Sequence, residues 1–175
     1  MHFQRRTKQK SRLTEQGNNM GRGYNDALLF DCPNLSLKAN KTISYLEKLL
    51  SVLEGKYHFN LTTKELYFYE RENLALPVGD ILGFKVIKTQ EDVDNTIIAR
   101  IYELGEMPNI SRIILSSGDK DYAKAMKDVK SRGKDAYVAW FGHLTSPKLR
   151  EAVGEDHFIG VSRRKLIKNP IKQGF

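Results

Sequence analysis

Short apolar runs of strand character alternate with amphipathic stretches of helical spacing along most of the chain, and this alternation limits the fold more than any other feature. Residues 27–30, 65–69, 84–87, 113–115, 136–141 and 157–161 read as strands, short and rich in β-branched or aromatic residues. Between the first two, Ile43, Leu46, Leu49, Leu50 and Leu53 recur at helical spacing over 41–53, and Gly55 reads as the stop. Further helices are predicted over 93–104, closed by Gly105, and over 122–131, ended by Gly133. The last begins at Ser146-Pro147, an N-cap with proline at the first helical position, and runs to about Val153. Strands and helices in such alternation build a mostly parallel sheet covered on both faces, so a three-layer α/β/α sandwich is expected. No internal repeat is visible.

A chain of 175 residues with 40% hydrophobic content suits one globular domain with tails. The expected organisation is a basic flexible extension at 1–23, a domain at 24–162 and a basic tail at 163–175. No apolar run approaches the roughly 18 residues of a membrane span. The N-terminus is basic and polar without an apolar segment behind it, which does not fit a secretory signal. The single cysteine, Cys32, excludes an internal disulfide and suits a reducing compartment, so the cytoplasm is the expected location. The net charge of +8 is concentrated at the ends. Arg5, Arg6, Lys8, Lys10, Arg12 and Arg22 face only Glu15, and Arg163, Arg164, Lys165, Lys168 and Lys172 face no acid. Basic ends on a near-neutral body point to phosphate-backbone contacts, with solvated tails as the plainer alternative.

The chemistry concentrates where strands end. Ile113-Ile114-Leu115 breaks into Ser116-Ser117-Gly118-Asp119-Lys120-Asp121 before a helix, Phe30 runs into Asp31, and Asp92 and Asp94 follow the strand at 84–87. In a parallel sheet such positions collect along one edge, where loops diverge at the reversal of strand order. Asp31, Asp94, Asp119 and Asp121 are therefore expected to converge. Packed carboxylates repel one another, and a divalent cation with a preference for hard oxygen ligands, Mg²⁺ or Mn²⁺, resolves the repulsion. Taken singly, each has a structural use: Asp119 as an N-cap, Asp92 or Asp94 as the cap of the helix at 93–104, Asp31 in an Asx-turn.

Other chemistries find no support. There is no Gly-x-Gly-x-x-Gly after a strand and no Walker loop. Cys32 adjoins a carboxylate that disfavours thiolate and reads as a packing residue. His2, His58, His143 and His157 lack metal-ligand spacing; His143, just past the strand at 136–141, is a loop histidine on the suspect edge and a candidate substrate contact.

The segment from Leu29 to Leu35, with its Asp31-Cys32-Pro33-Asn34 core, resembles the opening of NYN domains, relatives of the PIN-like ribonucleases. The resemblance continues at Val93-Asp94 entering a helix and is densest at 114–122, followed by Lys130-Ser131-Arg132-Gly133-Lys134, Ser146-Pro147-Lys148-Leu149 and Asp156-His157-Phe158. It covers about residues 25–161. It implies a PIN-like Rossmannoid sandwich with strand order 3-2-1-4-5, and an endoribonuclease whose metal-binding and catalytic residues are Asp31, Asp94, Asp119 and Asp121, with Mg²⁺ or Mn²⁺ as cofactor. Asn34 would be a polar support at the substrate. Many relatives carry Gly where this chain has Cys32 and Lys120, and a carboxylate where it has Arg100. Arg100, Lys120 and His143 are expected to guide the RNA backbone. The alternative is a catalytically inactive NYN-type module that binds RNA or a partner protein. No membrane partner is expected; a homodimer is compatible with the sequence, which does not demand one.

Overall fold

The strand nearest the N-terminus, β1 (Asn25–Asp31), is buried along nearly its whole length, on both faces, as the central strand of a parallel sheet must be. The computed structural model describes residues 24–33, 39–69, 82–90 and 92–162, the side chains of 39–41 excepted. The basic ends at 1–23 and 163–175, and Asn34, lie outside the described residues. After β1 come α1 (Ala39–Leu50), a π-helical turn (Ser51–Lys56), β2 (Leu61–Tyr69), β3 (Lys85–Thr89) and α2 (Val93–Glu106). Then follow β4 (Ile110–Ser116), a 3-10 turn (Lys120–Tyr122), α3 (Ala123–Ser131), β5 (Asp135–Trp140), α4 (Pro147–Val153) and β6 (Phe158–Gly160).

The sheet order is β3-β2-β1-β4-β5-β6, and every neighbouring pair is parallel. The expected order is present, with the strand foreseen at 157–161 as its sixth member. Right-handed crossovers put α1 on one face and α2, α3 and α4, in contact in series, on the other. On the α1 side, Tyr45 meets Phe30, Trp140 and Phe141 with ring centroids 5.8, 5.8 and 5.0 Å away. On the other side, Val93, Ile97, Ile101 and Leu104 form the buried stripe of α2.

Three punctuation marks act differently from their sequence reading. Gly55 does not stop α1; the helix widens into a π turn, Tyr57 N–H reaching back to the Val52 carbonyl, and the chain turns at His58, which has a φ of 56°. The wider turn brings Leu53 and Phe59 into the core. Gly105 lies inside α2, where a Cβ would stand 2.9 Å from Val129 Cγ1, so it serves the close approach of α2 and α3. Ser146 holds the N-cap position of α4 with Pro147 behind it, yet its side chain makes no capping hydrogen bond; its backbone N–H donates to the Gly118 carbonyl at 2.8 Å.

At the edge of the sheet where β1 and β4 begin, Asp26 is fully buried and accepts from Arg112 Nε and Nη2 at 2.7 and 2.6 Å, and from Asn60 N–H at 2.6 Å. The Arg112 guanidinium also lies 4.3 Å from the Phe59 ring centroid. Removing the cation strands a buried carboxylate. Arg112→Met is expected to cost about 3–5 kcal/mol of unfolding free energy, measured by urea denaturation; a loss below about 1 kcal/mol would mean the pair behaves as a surface ion pair.

Candidate metal centre

Register brings the acidic residues together. Phe30 of β1 is paired with Ser116 of β4, so the residues that follow each strand emerge side by side, where crossovers leave β1 in one direction and β4 in the other. Asp31 ends β1 and is 2% exposed. Ser117 Oγ donates to Asp31 Oδ2 at 2.9 Å and in turn accepts from Asp119 N–H at 3.2 Å. Asp119 caps the 3-10 turn, its carboxylate accepting from Asp121 N–H at 3.1 Å. The structural reading of Asp119 as a cap is thus realised alongside its place in the cluster. Asp94 enters from the first turn of α2, whose cap is its neighbour Asp92, bonded to Asp94 N–H at 3.1 Å.

One carboxylate oxygen from each of Asp94, Asp119 and Asp121 lies within 4.8 Å of the others; Asp94 and Asp119 are half-buried and Asp121 is exposed. Asp31 is not one of the three. It stands behind them, one hydroxyl away: Tyr122 OH lies 3.1 Å from Asp31 Oδ2 and 2.5 Å from Asp94 Oδ1. A phenol carries one proton, so it donates to one carboxylate at a time. Burial first, and then the Asp31 charge, push the Tyr122 hydroxyl far above the ordinary tyrosine range, so it remains a donor. Asp94 is pushed above the usual aspartate value, by burial foremost. The hydrogen bond from Tyr122 opposes this, and the charges of Asp92, Asp119 and Asp121 add to it. Neighbouring carboxylates thus add to a rise at Asp94 whose larger cause is desolvation.

The remaining sequence candidates fall in two places. Lys120 and His143 are exposed and line, with Asp119, a groove of about 490 Å³ beside the cluster. Arg100 is turned elsewhere: Nε and Nη2 donate to Glu65 at 3.0 and 2.9 Å, and Nη1 to Glu103 at 2.9 Å. Glu65 is a buried carboxylate on β2 that also accepts from Tyr67 OH at 2.6 Å. The groove beside Arg100, between β3 and α2, also holds Lys85 and Asn95 and is separate from the acidic cluster.

Ser117, Tyr122 and Glu65 are the residues sequence reasoning passed over. A serine in a Ser-Ser-Gly turn and a tyrosine at a helix start carry no signal of their own; only their position against Asp31 and Asp94 assigns them a task.

The parallel sheet, the strand order and the carboxylates at its switch point define a PIN-like domain of ribonuclease type. The NYN domain model matches residues 26–161, and the chain belongs to the NYN family. Among solved structures, it is similar to a protein of unknown function from Vibrio parahaemolyticus, with a TM-score of 0.60 and 20% identity over 82% of this chain and 96% of that one. No curated protein matches. Among the described residues no helix is long and apolar enough to cross a membrane.

A carboxyl whose pKa is raised on folding costs stability once ionised, and the loss sets in as pH climbs from the ordinary aspartate value through the raised one. Asn keeps an acceptor for Tyr122 and carries no charge. Asp94→Asn is therefore expected to melt above the parent at pH 7 in EDTA, the difference vanishing below about pH 3, where both forms are neutral. Equal melting temperatures at pH 7 would show that Asp94 ionises in the fold without penalty.

Proposed function

We propose that this protein is a metal-dependent endoribonuclease acting at Asp31, Asp94, Asp119 and Asp121. One observation carries the reading: a carboxylate oxygen from the first turn of α2, on Asp94, and two from the turn after β4, on Asp119 and Asp121, lie within 4.8 Å of one another, and no lysine or arginine among the described residues pairs with them. The donor set fits a hard divalent ion, since oxygens around octahedral Mg²⁺ or Mn²⁺ at about 2.1 Å lie roughly 3–4 Å apart. Asp94, Asp119 and Asp121 would hold it, and Asp31 supports them from behind. When bound, such an ion supplies Lewis-acid polarisation of a phosphodiester and a lowered pKa for an attacking water.

The chain's own residues do the positioning. Asp119, bonded to the backbone of its own turn, presents its second oxygen at a fixed angle. Tyr122 ties the Asp94 carboxylate to the end of β1, and Ser117 ties the same strand end to the Asp119 backbone, so the end of β1, the turn after β4 and the start of α2 are linked by hydrogen bonds. RNA is the substrate that membership in a ribonuclease-type family supports, and the basic ends supply phosphate contacts of the kind that weaken with salt.

Arg100 favours a second reading. It occupies a position where many relatives carry a carboxylate, and it is bound to Glu65 rather than left to balance the site. A catalytically inactive domain that binds RNA would keep the fold and lose the reaction. The deciding experiment incubates the purified chain with single-stranded and structured RNA in Mg²⁺, Mn²⁺ or EDTA. Metal-dependent internal cleavage is expected, and Asp119→Asn should lower its rate by roughly 100-fold or more while leaving the circular dichroism spectrum unchanged, since Asn caps a turn about as well as Asp. RNA binding without cleavage in any metal would establish the second reading.

A further inference from the structure

At the edge of the sheet opposite the acidic cluster, where the strands begin, rings and cations alternate along the surface. Of the three large hydrophobic side chains left exposed among the described residues, two lie here: Tyr24 (43%), just before β1, and Tyr57 (38%), in the turn that leads to β2. Arg112 and Phe59 stand between them. The Arg112 guanidinium is 5.5 Å from the Tyr24 ring centroid and 4.3 Å from that of Phe59, and the Phe59 ring stacks on Tyr57 with centroids 6.4 Å apart. Lys56 Nζ lies 5.1 Å from the Tyr57 centroid. The seven residues of β1, at about 3.3 Å each, put this row roughly 20 Å from the carboxylates.

The row is anchored to the fold from beneath. A φ of 56° at His58 turns the chain so that Tyr57 and Phe59, two positions apart, meet ring to ring. The His58 carbonyl accepts from Arg112 Nη2 at 3.3 Å, and the Tyr24 carbonyl from Asn60 Nδ2 at 3.0 Å. Arg112 itself is held by the buried Asp26, and Phe59 packs inward on Tyr137 with centroids 5.1 Å apart. Rings already fixed in this way lose little freedom when a ligand arrives.

We propose that this edge is a second contact surface for single-stranded RNA, on which unpaired bases stack against Tyr24 and Tyr57. The inference takes its ligand from the RNA binding common to both readings above, and it needs neither the acidic cluster nor cleavage. Exposed rings set among cations suit a single strand, whose bases meet the rings while its phosphates meet the cations. An exposed cation–ring contact is worth less than a stacked base, so Lys56 gives up the Tyr57 face and takes a phosphate. Charge favours the same occupant. Glu54 and Asp135 are exposed at this edge and leave its own charge close to balanced, but the basic residues 1–23 lead directly into Tyr24, with Arg22 two positions away. A polyanion stacked on Tyr24 therefore lies where that cationic segment joins the domain. In a duplex both faces of each base are already covered, which restricts the surface to unpaired strands. Contact through the base face is tolerant of sequence.

Fluorescence anisotropy of the full chain with a labelled RNA 24-mer in EDTA, single-stranded or annealed to its complement, tests the surface without cleavage. Tyr57→Ser is expected to weaken single-strand binding roughly fivefold, the lower end of what one stacked base is worth. Tyr24→Ser and Tyr57→Ser together should weaken it about 25-fold, since separate contacts add. Tyr57→Phe keeps the ring and should bind as the parent does. Lys56→Gln should reduce the salt slope by about 0.7, one phosphate contact on a single strand. Duplex binding and Mn²⁺ affinity by calorimetry should match the parent throughout, a readout that general unfolding would move. A double serine variant that binds single strands like the parent, a Tyr57→Phe variant as weak as Tyr57→Ser, or a parent that binds no single-stranded RNA overturns the proposal. So does a parent dimer that the double variant converts to monomers with RNA binding unchanged, which makes the edge an interface between copies. Cleavage by the parent alongside unaffected variants keeps the ribonuclease reading and removes this surface; weakened variants of a parent that never cleaves do the opposite.

Discussion

The parallel pairing of β1 with β4 is the constraint on which the rest of the molecule depends. It brings Asp31 and Ser117, 86 positions apart in sequence, within 2.9 Å of each other. It is also the place where the connections reverse direction, so that the loops leaving the two strands part and open the edge of the sheet. Every residue of the candidate site is held relative to this seam. Asp119 bonds to Ser117, Tyr122 spans from the far side of the turn to Asp31 and Asp94, and Gly118 admits the turn that carries His143 and Leu144.

The fold treats its buried carboxylates in two ways, and the contrast makes the acidic cluster informative. Asp26 and Glu65 each receive a forked pair of bonds from an arginine, Arg112 and Arg100 respectively, which is how an interior tolerates a full negative charge. Asp31 is satisfied by hydroxyls. Asp94 takes the Tyr122 hydroxyl and is pushed above the usual aspartate value, by burial first and then by its acidic neighbours, while none of Asp94, Asp119 and Asp121 has an arginine or lysine partner among the described residues. The contrast between the arginine-paired carboxylates of the interior and these three, half-buried or exposed and close together, is what the proposed metal-dependent reading rests on.

Much of the fold was legible because parallel strands buried on both faces write themselves as continuous apolar runs, and helices lying on them as spaced ones. The runs at 27–30 and 113–115 lie within β1 and β4, and the spaced residues from Ile43 to Leu53 follow α1 into its π turn. Glycines were harder to read. Gly55 and Gly105 look alike in sequence, each after a helical stripe, yet one sits in a widened turn and the other beneath Val129. A Cβ at Gly55 would meet nothing within 4 Å, whereas one at Gly105 would meet Val129, and that difference belongs to a tertiary neighbour rather than to the local sequence.

The sequence by itself determined the alternation of elements, the family and the positions of the acids at strand ends, because these follow from local patterning and from motifs contiguous in the chain. Only the tertiary structure decided how the acids divide: three close enough for one ion, the fourth behind a tyrosine. It also decided that Arg100 serves Glu65, at 2.9 Å, rather than the site. The reason is physical. Local sequence sets where backbone hydrogen bonds and apolar surface can be satisfied along the chain, whereas the partner of a buried charge is whatever the strand register and the helix packing bring within about 3 Å of it, and that distance is a property of the whole fold.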